Sequence, residues 1–246
     1  MNRLTRTLRA GREPIVFPGP NDVDRRIQAM SRDYTPEEVQ LRYVAAMGDH
    51  LGLVFYELLN ECAHVHSRWR TFVTLFGMSE DRVNLLNEAA ASFFGGLQDV
   101  LWEDVLLHLA RLTDRPRIAG HETLTVRRLS DLAKDVPGIE AALDLVGSNI
   151  GFVRDWRDRH IAHRNLDLAL ERAKPLAAAS RQSVSDALLS IAALLITVER
   201  HYCDGTPSAY DFGIDGHGDA EDLLMLLRTG LDARDAEWKQ QSSNRR

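Results

Sequence analysis

The sequence predicts an all-α protein, a bundle of several long helices, and three observations support this prediction. Apolar residues recur three or four residues apart through long stretches of the chain, which is the pattern of helices that bury one face. Residues that cap helix starts stand directly before these stretches. No stretch alternates apolar and polar residues as a half-buried strand does, and no glycine-rich phosphate loop follows an apolar run. Such helices are expected to pack side by side around one core.

The composition is that of a globular protein with a substantial core. The chain has 246 residues, of which 44% are hydrophobic and 27% charged, and this balance excludes disorder over the whole length. The most apolar run, residues 188–198, is shorter than the roughly 20 residues that a bilayer-spanning helix needs. Cys62 and Cys203 are the two cysteines, too few for a disulfide framework or a four-cysteine zinc site. We expect a cytoplasmic protein without a membrane partner.

The domain organisation is predicted from the position of the apolar stretches. Residues 1–34 combine regularly spaced arginines with three prolines, and they predict a flexible N-terminal tail. Residues 35–240 carry the helical patterns and are expected to form a single all-helical domain. Residues 241–246 lack apolar side chains, and we expect a disordered C-terminus there.

The first long helix is expected to begin after Thr35. Thr35 and Glu38 have the spacing of a capping box, and a proline follows the threonine. The apolar spacing continues to Phe72. One helix of unusual length is therefore predicted, with bends at Gly48 and Gly52.

The second long helix is expected to begin at Ser79. Its apolar spacing continues to Leu112, and residues 114–116, Asp-Arg-Pro, end it. A shorter helix follows, capped by Thr125 and ended by the Val-Pro-Gly of residues 136–138.

The remaining helices follow the same rules. The apolar spacing resumes over residues 139–153 and, beyond Pro175, over residues 184–198. Residues 206–218 hold one proline and three glycines and predict a loop. Asp219 stands at the start of a final amphipathic helix and is expected to cap it.

The charges are unevenly distributed along the chain. The net charge is −6, which excludes a protein coated in basic residues. Residues 111–128 nevertheless hold five arginines and two acids, and residues 154–164 hold four arginines and two acids. Residues 219–237 instead hold six acids and two arginines. Basic patches of this kind can bind a short length of nucleic acid backbone.

Arg157 falls where the apolar pattern places a core residue. Val146, Ile150 and Val153 form one helical face, and the next position on that face is Arg157. A guanidinium keeps its proton, so its burial without a partner is costly. Arg157 therefore needs a carboxylate, a subunit interface or an anionic ligand. The carboxylates that we expect to be available inside the bundle are Glu57, Glu61, Asp99 and Asp104.

Two histidines follow this arginine. His160 lies three residues on and shares its helical face, so periodicity favours His160. His163 lies six residues on, about 9 Å along a continuous helix and about 120° around it from Arg157. Arg157 and His163 can meet only if the helix ends near His163, or across a two-fold axis between two copies.

Arg157 and His163, with Asp158 between them, resemble the Arg-x(4–6)-His motif of HEPN proteins, in which a polar residue commonly follows the arginine. The surrounding sequence resembles the AbiU branch, which is associated with phage abortive infection. The resemblance covers residues 35–235. Its matching segments are residues 109–115, 124–129, 156–164 and 218–224.

The resemblance implies an all-α fold with a HEPN-like four-helix-bundle core and additional C-terminal helices. It also implies a homodimer with a composite site and metal-independent endoribonuclease activity that needs no cofactor. Arg157, His163 and Asp158 then occupy the motif positions, with His160 as the alternative histidine. Arg154, Arg159 and Arg164 would contact RNA phosphates. RNA, an antitoxin and a nucleotidyltransferase are the expected partners, in phage defence or a toxin–antitoxin system.

Other interpretations remain open. A non-catalytic adaptor that binds a protein partner or a nucleotide predicts that an internal carboxylate neutralises Arg157, and a purely structural bundle is a third possibility. No histidine pair in the sequence has a third metal ligand at a usual spacing, so no metal site is predicted. We expect Cys203 to be inert. We expect three tryptophans to pack in the core or in a dimer interface and not to stack on bases: Trp69, Trp102 and Trp156.

Overall fold

The computed structural model describes residues 35–163, 165–203 and 219–244, and most of these are helical. The predicted all-α class is therefore confirmed. The α-helices of the described chain are α1 (Pro36–Met47), α2 (Asp49–Phe72), α3 (Glu80–Thr113), α4 (Leu129–Leu132), α5 (Ile139–Asn149), α6 (Gly151–Trp156), α7 (Leu166–Ala169), α8 (Arg181–Tyr202) and α9 (Ala220–Ser243). The shorter elements are π-helical turns at Val73–Gly77 and Arg157–Ile161, a 3₁₀ turn at Val126–Arg128, and strands β1 (Arg117–Ile118) and β2 (His121–Glu122).

The prediction of one helix over residues 35–72 is wrong, because the chain folds back at Gly48. Gly48 has φ +79°, a conformation that favours glycine, and α1 ends there. A Cβ on Gly52 would lie 2.6 Å from the carbonyl oxygen of Tyr43 and the backbone of Val44. The absence of a side chain at Gly52 therefore allows α1 to pack directly against the first turn of α2.

The predicted helix starts are confirmed. The Thr35 side chain accepts a hydrogen bond from the Glu38 amide in a complete capping box, and Ser79 accepts from the Arg82 amide. Asp219 accepts from the first amides of α9. That helix continues through Ser243, three residues into the segment expected to be disordered. The predicted tail of residues 1–34 and the loop of residues 206–218 lie outside the described residues.

Five helices build the main core of the described chain. α2 packs against α3 and α8, α5 packs against α8, and α6 packs against α3. Among the described helices, α8 is long and apolar enough to cross a membrane by length and composition, and 56% of its most apolar window is buried within the protein. Core side chains that are fully buried include Phe55, Leu58, Leu106, Leu109, Val153, Ile191 and Leu195.

The additional C-terminal helix, α9, covers the beginning of α3. Leu224 is buried there in a second apolar cluster with Leu75, Leu86 and Phe94. Ion pairs flank this cluster, with Arg82 2.8 Å from Glu221 and Arg234 2.8 Å from Glu88. Burial of apolar area holds α9 in place, since exposed ion pairs of this kind contribute at most about 1 kcal/mol each.

A small hairpin follows α3 that the sequence pattern did not indicate. β1 and β2 pair antiparallel through only two residues each. Ala119 and Gly120 both have positive φ, 49° and 86°, as a type I′ turn requires. Arg128 fastens the hairpin by donating to the carbonyls of Thr123 and Pro116. Strands this short carry no alternation, so sequence periodicity cannot detect them.

The three tryptophans pack in the core, as the sequence predicts. Trp69 is 7% exposed, and its ring centroid lies 6.2 Å from that of Trp102, which lies 6.1 Å from that of Trp156. This chain of rings extends the core from α2 across α3 to the end of α6.

Gly52→Ala is expected to lower the free energy of unfolding by about 1–3 kcal/mol, because the new methyl group overlaps the α1 backbone. Gly147→Ala is the matched control, since Gly147 is exposed in α5 with nothing within 4 Å of a Cβ. There alanine is expected to stabilise the helix by about 0.5–1 kcal/mol. Denaturant unfolding measures both, and equal stability of Gly52→Ala and wild type would contradict the close approach.

Candidate active site

Arg157 begins a π-helical turn rather than another turn of α-helix. The amide of Ala162 donates to the carbonyl of Arg157 at 2.8 Å, a bond between residues five apart. Such turns insert an extra residue and are frequent at functional sites. The angular separation of Arg157 and His163 expected for a continuous α-helix therefore does not apply. Arg157 itself keeps the α-helical conformation, and its amide donates to the carbonyl of Val153.

Two carboxylates hold the Arg157 guanidinium. Its Nε donates to Asp158 Oδ1 at 2.7 Å, and its Nη1 lies 2.5 and 2.6 Å from the two carboxylate oxygens of Asp114. The Arg157 side chain is 25% exposed and that of Asp114 17%. The hydrogen bond to Asp158, and then that to Asp114, raise the pKa of Arg157 above its ordinary value. Arg157 is thus a fixed, permanently charged group at the edge of the core.

The four carboxylates expected to pair with Arg157 were the wrong ones. Asp104 pairs with Arg68 at 3.0 Å, and Glu61 pairs with Arg111 at 3.9 Å. Neither Glu57 nor Asp99 contacts Arg157 within the described chain. The physical reason is the break at Ile150 (φ −108°, ψ 6°), which separates α5 from α6, so the apolar pattern of α5 does not continue to Arg157 as one straight helix.

The two candidate histidines have different surroundings. His160 is half-buried, with its Nε2 3.3 Å from Glu103 Oε1 and its ring edge-on to Trp156 at 5.7 Å. His163 lies in the bend after the π-helical turn and is exposed. Across the described residues, no hydrogen bond or ion pair joins the His163 side chain to Arg157 or to any other group. Within one chain, the structure brings His160 against the core and leaves His163 accessible.

Further guanidiniums converge on the same end of α3. The carbonyl oxygen of Thr113 accepts hydrogen bonds from Arg127 Nε at 2.9 Å and from Arg154 Nη2 at 3.0 Å. Burial lowers the pKa of Arg154, and the charges of Arg127, Arg157 and Arg115 lower it further, against the opposite effect of Asp114. We call Arg115, Arg127, Arg154 and Arg157 the arginine cluster. The carbonyl end of a helix attracts cations, which explains why the cluster forms there.

Three residues of this candidate site were not predicted from the sequence: Asp114, Arg115 and Arg127. The available signal was the pair of arginine-rich segments, residues 111–128 and 154–164. Only the tertiary structure shows that these segments meet, because residues in both contact the last turn of α3.

Arg159 is engaged in a different contact. It pairs with Asp155 at 3.0 Å and donates to the carbonyls of Lys174 and Pro175. Asp155 in turn accepts from the amide of Ala177 at 2.7 Å. These bonds fasten residues 174–177 to α6. The expected role of Arg159 in binding phosphate stays a prediction, and Arg164 lies outside the described residues.

Metal-ligand clusters and cysteine thiols are the other groups that could support chemistry in this protein. Over the described residues, no group of three or more His, Cys, Asp and Glu side chains could hold a metal ion. Cys62 is buried in the core, where burial raises its pKa to about 12. A thiol in that state is a poor nucleophile at neutral pH.

One comparison with known proteins gives a match. The family model described as AbiU2, a HEPN family, matches residues 49–223. The matched span is more than half of the chain and contains α2, the arginine cluster and the motif residues Arg157 and His163. No curated protein and no solved structure gives a significant match.

Asp155→Asn is expected to destabilise the protein at neutral pH, because it removes the charge that Ala177 and Arg159 contact. The amide of Ala177, and less strongly Arg159, lower the pKa of Asp155. A carboxyl group with a lowered folded-state pKa stabilises above its ordinary pKa of about 3.9, and this contribution is lost as the pH falls through the folded-state value. The difference in melting temperature between wild type and Asp155→Asn should therefore shrink at acidic pH.

The exposed Asp144 on α5 offers a matched control. Asp144→Asn makes the same chemical change without a comparable contact, and we expect it to leave the melting temperature nearly unchanged at every pH. A constant difference between wild type and Asp155→Asn from neutral to acidic pH would contradict the interpretation.

Proposed function

Because this chain belongs to the HEPN AbiU2 family, we propose that it is a metal-independent endoribonuclease with Arg157 and His163 as its catalytic residues. The observation that carries the proposal is the fixed, partly buried guanidinium of Arg157 among three further arginines, followed by an accessible histidine. This combination offers phosphate recognition and proton transfer, the two functions that RNA cleavage requires.

The chemistry uses the nucleophile that RNA itself carries. The 2′-oxygen attacks the adjacent phosphorus, and the bond from phosphorus to the 5′-oxygen breaks. His163 accepts the proton of the 2′-hydroxyl, and a protonated imidazole donates a proton to the departing 5′-oxygen. Arg157 stabilises the negative charge that builds on the phosphoryl oxygens. The products are a 2′,3′-cyclic phosphate and a 5′-hydroxyl.

The contacts of Arg157 are compatible with binding a phosphate. Its Nε and Nη1 are engaged by Asp158 and Asp114, whereas no hydrogen bond engages Nη2 within the described chain. Asp158 is more exposed than Asp114, 59% against 17%. We infer that Asp158, the polar residue of the motif, orients the guanidinium and leaves its outer edge for the substrate.

The environment of the two histidines favours His163 as the proton-transfer group. A general base must reach the substrate proton directly or through one water. His163 is exposed, whereas His160 lies against Trp156 and beside Glu103. The periodicity that favoured His160 in the sequence agrees with this packing role.

A homodimer would complete the site. Within the described residues of one chain, no hydrogen bond or ion pair joins Arg157 to His163, and a two-fold axis would let each copy supply one group to the other. An RNA substrate, an antitoxin or nucleotidyltransferase partner, a cytoplasmic location and a role in phage defence belong to the same proposal.

One observation favours a second candidate function. Asp114 neutralises Arg157 from within the chain, with Nη1 2.5 Å from a carboxylate oxygen. A non-catalytic HEPN-like adaptor, which binds a protein partner or a nucleotide, predicts this internal pairing. In that function the arginine is structural, and no RNA is cleaved.

RNA cleavage in the presence of EDTA separates the two functions. We expect wild type to release products with 2′,3′-cyclic phosphate ends, which end-group analysis identifies. His163→Ala is expected to lower the rate by roughly 10²–10⁴-fold, and Arg157→Ala by about 10²–10³-fold. His160→Ala is expected to keep cleavage.

Arg200→Ala, which removes an exposed arginine from the end of α8, controls for general loss of positive charge. Cleavage that survives Arg157→Ala and His163→Ala at the wild-type rate would refute the assignment of these residues. Failure of a folded wild-type dimer to cleave any of several RNAs would favour the adaptor function.

A further inference from the structure

Two members of the arginine cluster, Arg115 and Arg127, have no assigned task beside the motif residue Arg157, and for Arg154 the family resemblance implies only a general contact with RNA phosphates. We propose that Arg115, Arg127 and Arg154 form a second phosphate subsite, which binds a backbone phosphate of single-stranded RNA next to the phosphate held by Arg157. This inference rests on the proposed ribonuclease function and deepens it. It adds a contact to the substrate outside the motif.

The geometry brings two guanidiniums together with donors to spare. Arg127 and Arg154 each use one N–H on the carbonyl oxygen of Thr113. A guanidinium has five N–H donors, and within the described residues no other hydrogen bond engages the guanidinium of Arg127 or of Arg154. Two forks that share one oxygen leave the remaining N–H groups side by side, an arrangement suited to a tetrahedral phosphate.

The local charge is unbalanced in favour of an anion. The four guanidiniums of the cluster outnumber the two carboxylates beside them, Asp114 and Asp158, and both carboxylates pair with Arg157. Their mutual repulsion is evident at Arg154, whose pKa is lowered by burial and by the charges of its three arginine neighbours. Like charges held close together lower their energy when an anion binds between them.

Two neighbouring arginines with purely structural roles each have a carboxylate partner as well as backbone hydrogen bonds. Arg128 lies 3.3 Å from Glu122 and donates to two backbone carbonyls of the hairpin. Arg159 pairs with Asp155 and donates to two more. Arg127 and Arg154 have no carboxylate partner in the described chain. Arg115 is exposed, and its side chain has no hydrogen bond there.

The ligand expected here is a phosphodiester of a single strand. The subsite is adjacent to Arg157 because both contact the end of α3, through Thr113 and Asp114. A flexible single strand can present neighbouring phosphates to both positions. Contacts of this kind fix the register of the strand without reading its sequence.

Binding of a short single-stranded 2′-O-methyl RNA tests the subsite independently of cleavage, because this probe lacks the nucleophilic hydroxyl. Fluorescence anisotropy with the full chain gives the affinity at salt concentrations between about 50 and 200 mM. Arg127→Gln and Arg154→Gln are each expected to weaken binding about tenfold, as loss of a charge-assisted contact should. Each should also reduce the slope of log affinity against log salt by about 0.7.

Arg115→Gln provides a variant that cannot disturb the fold through a lost internal bond, since Arg115 is exposed. Arg115→Gln is expected to lower the affinity for the RNA probe, as Arg127→Gln and Arg154→Gln do. Arg117→Gln is the matched control, because it removes an exposed arginine from the adjacent strand β1. Its affinity should stay close to that of wild type.

The outcomes separate this inference from the proposed function. RNA binding that depends on Arg127 and Arg115 but not on Arg117, without cleavage of natural RNA, supports the subsite and refutes the nuclease. Cleavage that depends on Arg157, with affinities and salt slopes unchanged in all three cluster variants, overturns the subsite and leaves the nuclease standing. Absence of binding by folded wild type also overturns the subsite.

Discussion

The C-terminal end of α3 is the point on which the rest of the candidate site depends. Its last carbonyl, at Thr113, accepts hydrogen bonds from Arg127 and Arg154, and the next residue, Asp114, holds Arg157. The C-terminal end of a helix carries unsatisfied carbonyls and a partial negative charge, and it therefore attracts cations. Segments that are distant in the chain thereby converge on one place.

This convergence explains how so many arginines coexist at the edge of an apolar core. Charged groups are costly to desolvate unless hydrogen bonds and opposite charges compensate. Thr113 and Asp114 compensate part of the charge and leave Arg115 and the outer donors of Arg127 and Arg154 without a carboxylate in the described residues. A site with surplus positive charge and fixed donors is preorganised for an anion. The same contacts stabilise the fold. The proposed nuclease and the proposed adaptor therefore both require Arg157 to be held by Asp114.

The π-helical turn gives the motif its geometry. Arg157 itself still continues α6, with its amide bonded to the carbonyl of Val153, and it pairs with Asp114 just beyond the end of α3. The wider turn follows Arg157 and leads to His163, which lies in an exposed bend. The helix changes type between Arg157 and His163. A helical wheel with α-helical periodicity therefore does not give the angle between these two side chains.

The sequence by itself determined the helices and most of their ends, because apolar spacing and capping residues are local signals. Thr35, Ser79 and Asp219 begin helices as predicted. It also identified Arg157 as a charge on a core face. The reversal at Gly48 was decided by close packing against Gly52, and the partner of Arg157 by a contact across 43 residues of sequence. Such contacts depend on how helices are arranged in space, and no periodicity along the chain encodes that arrangement.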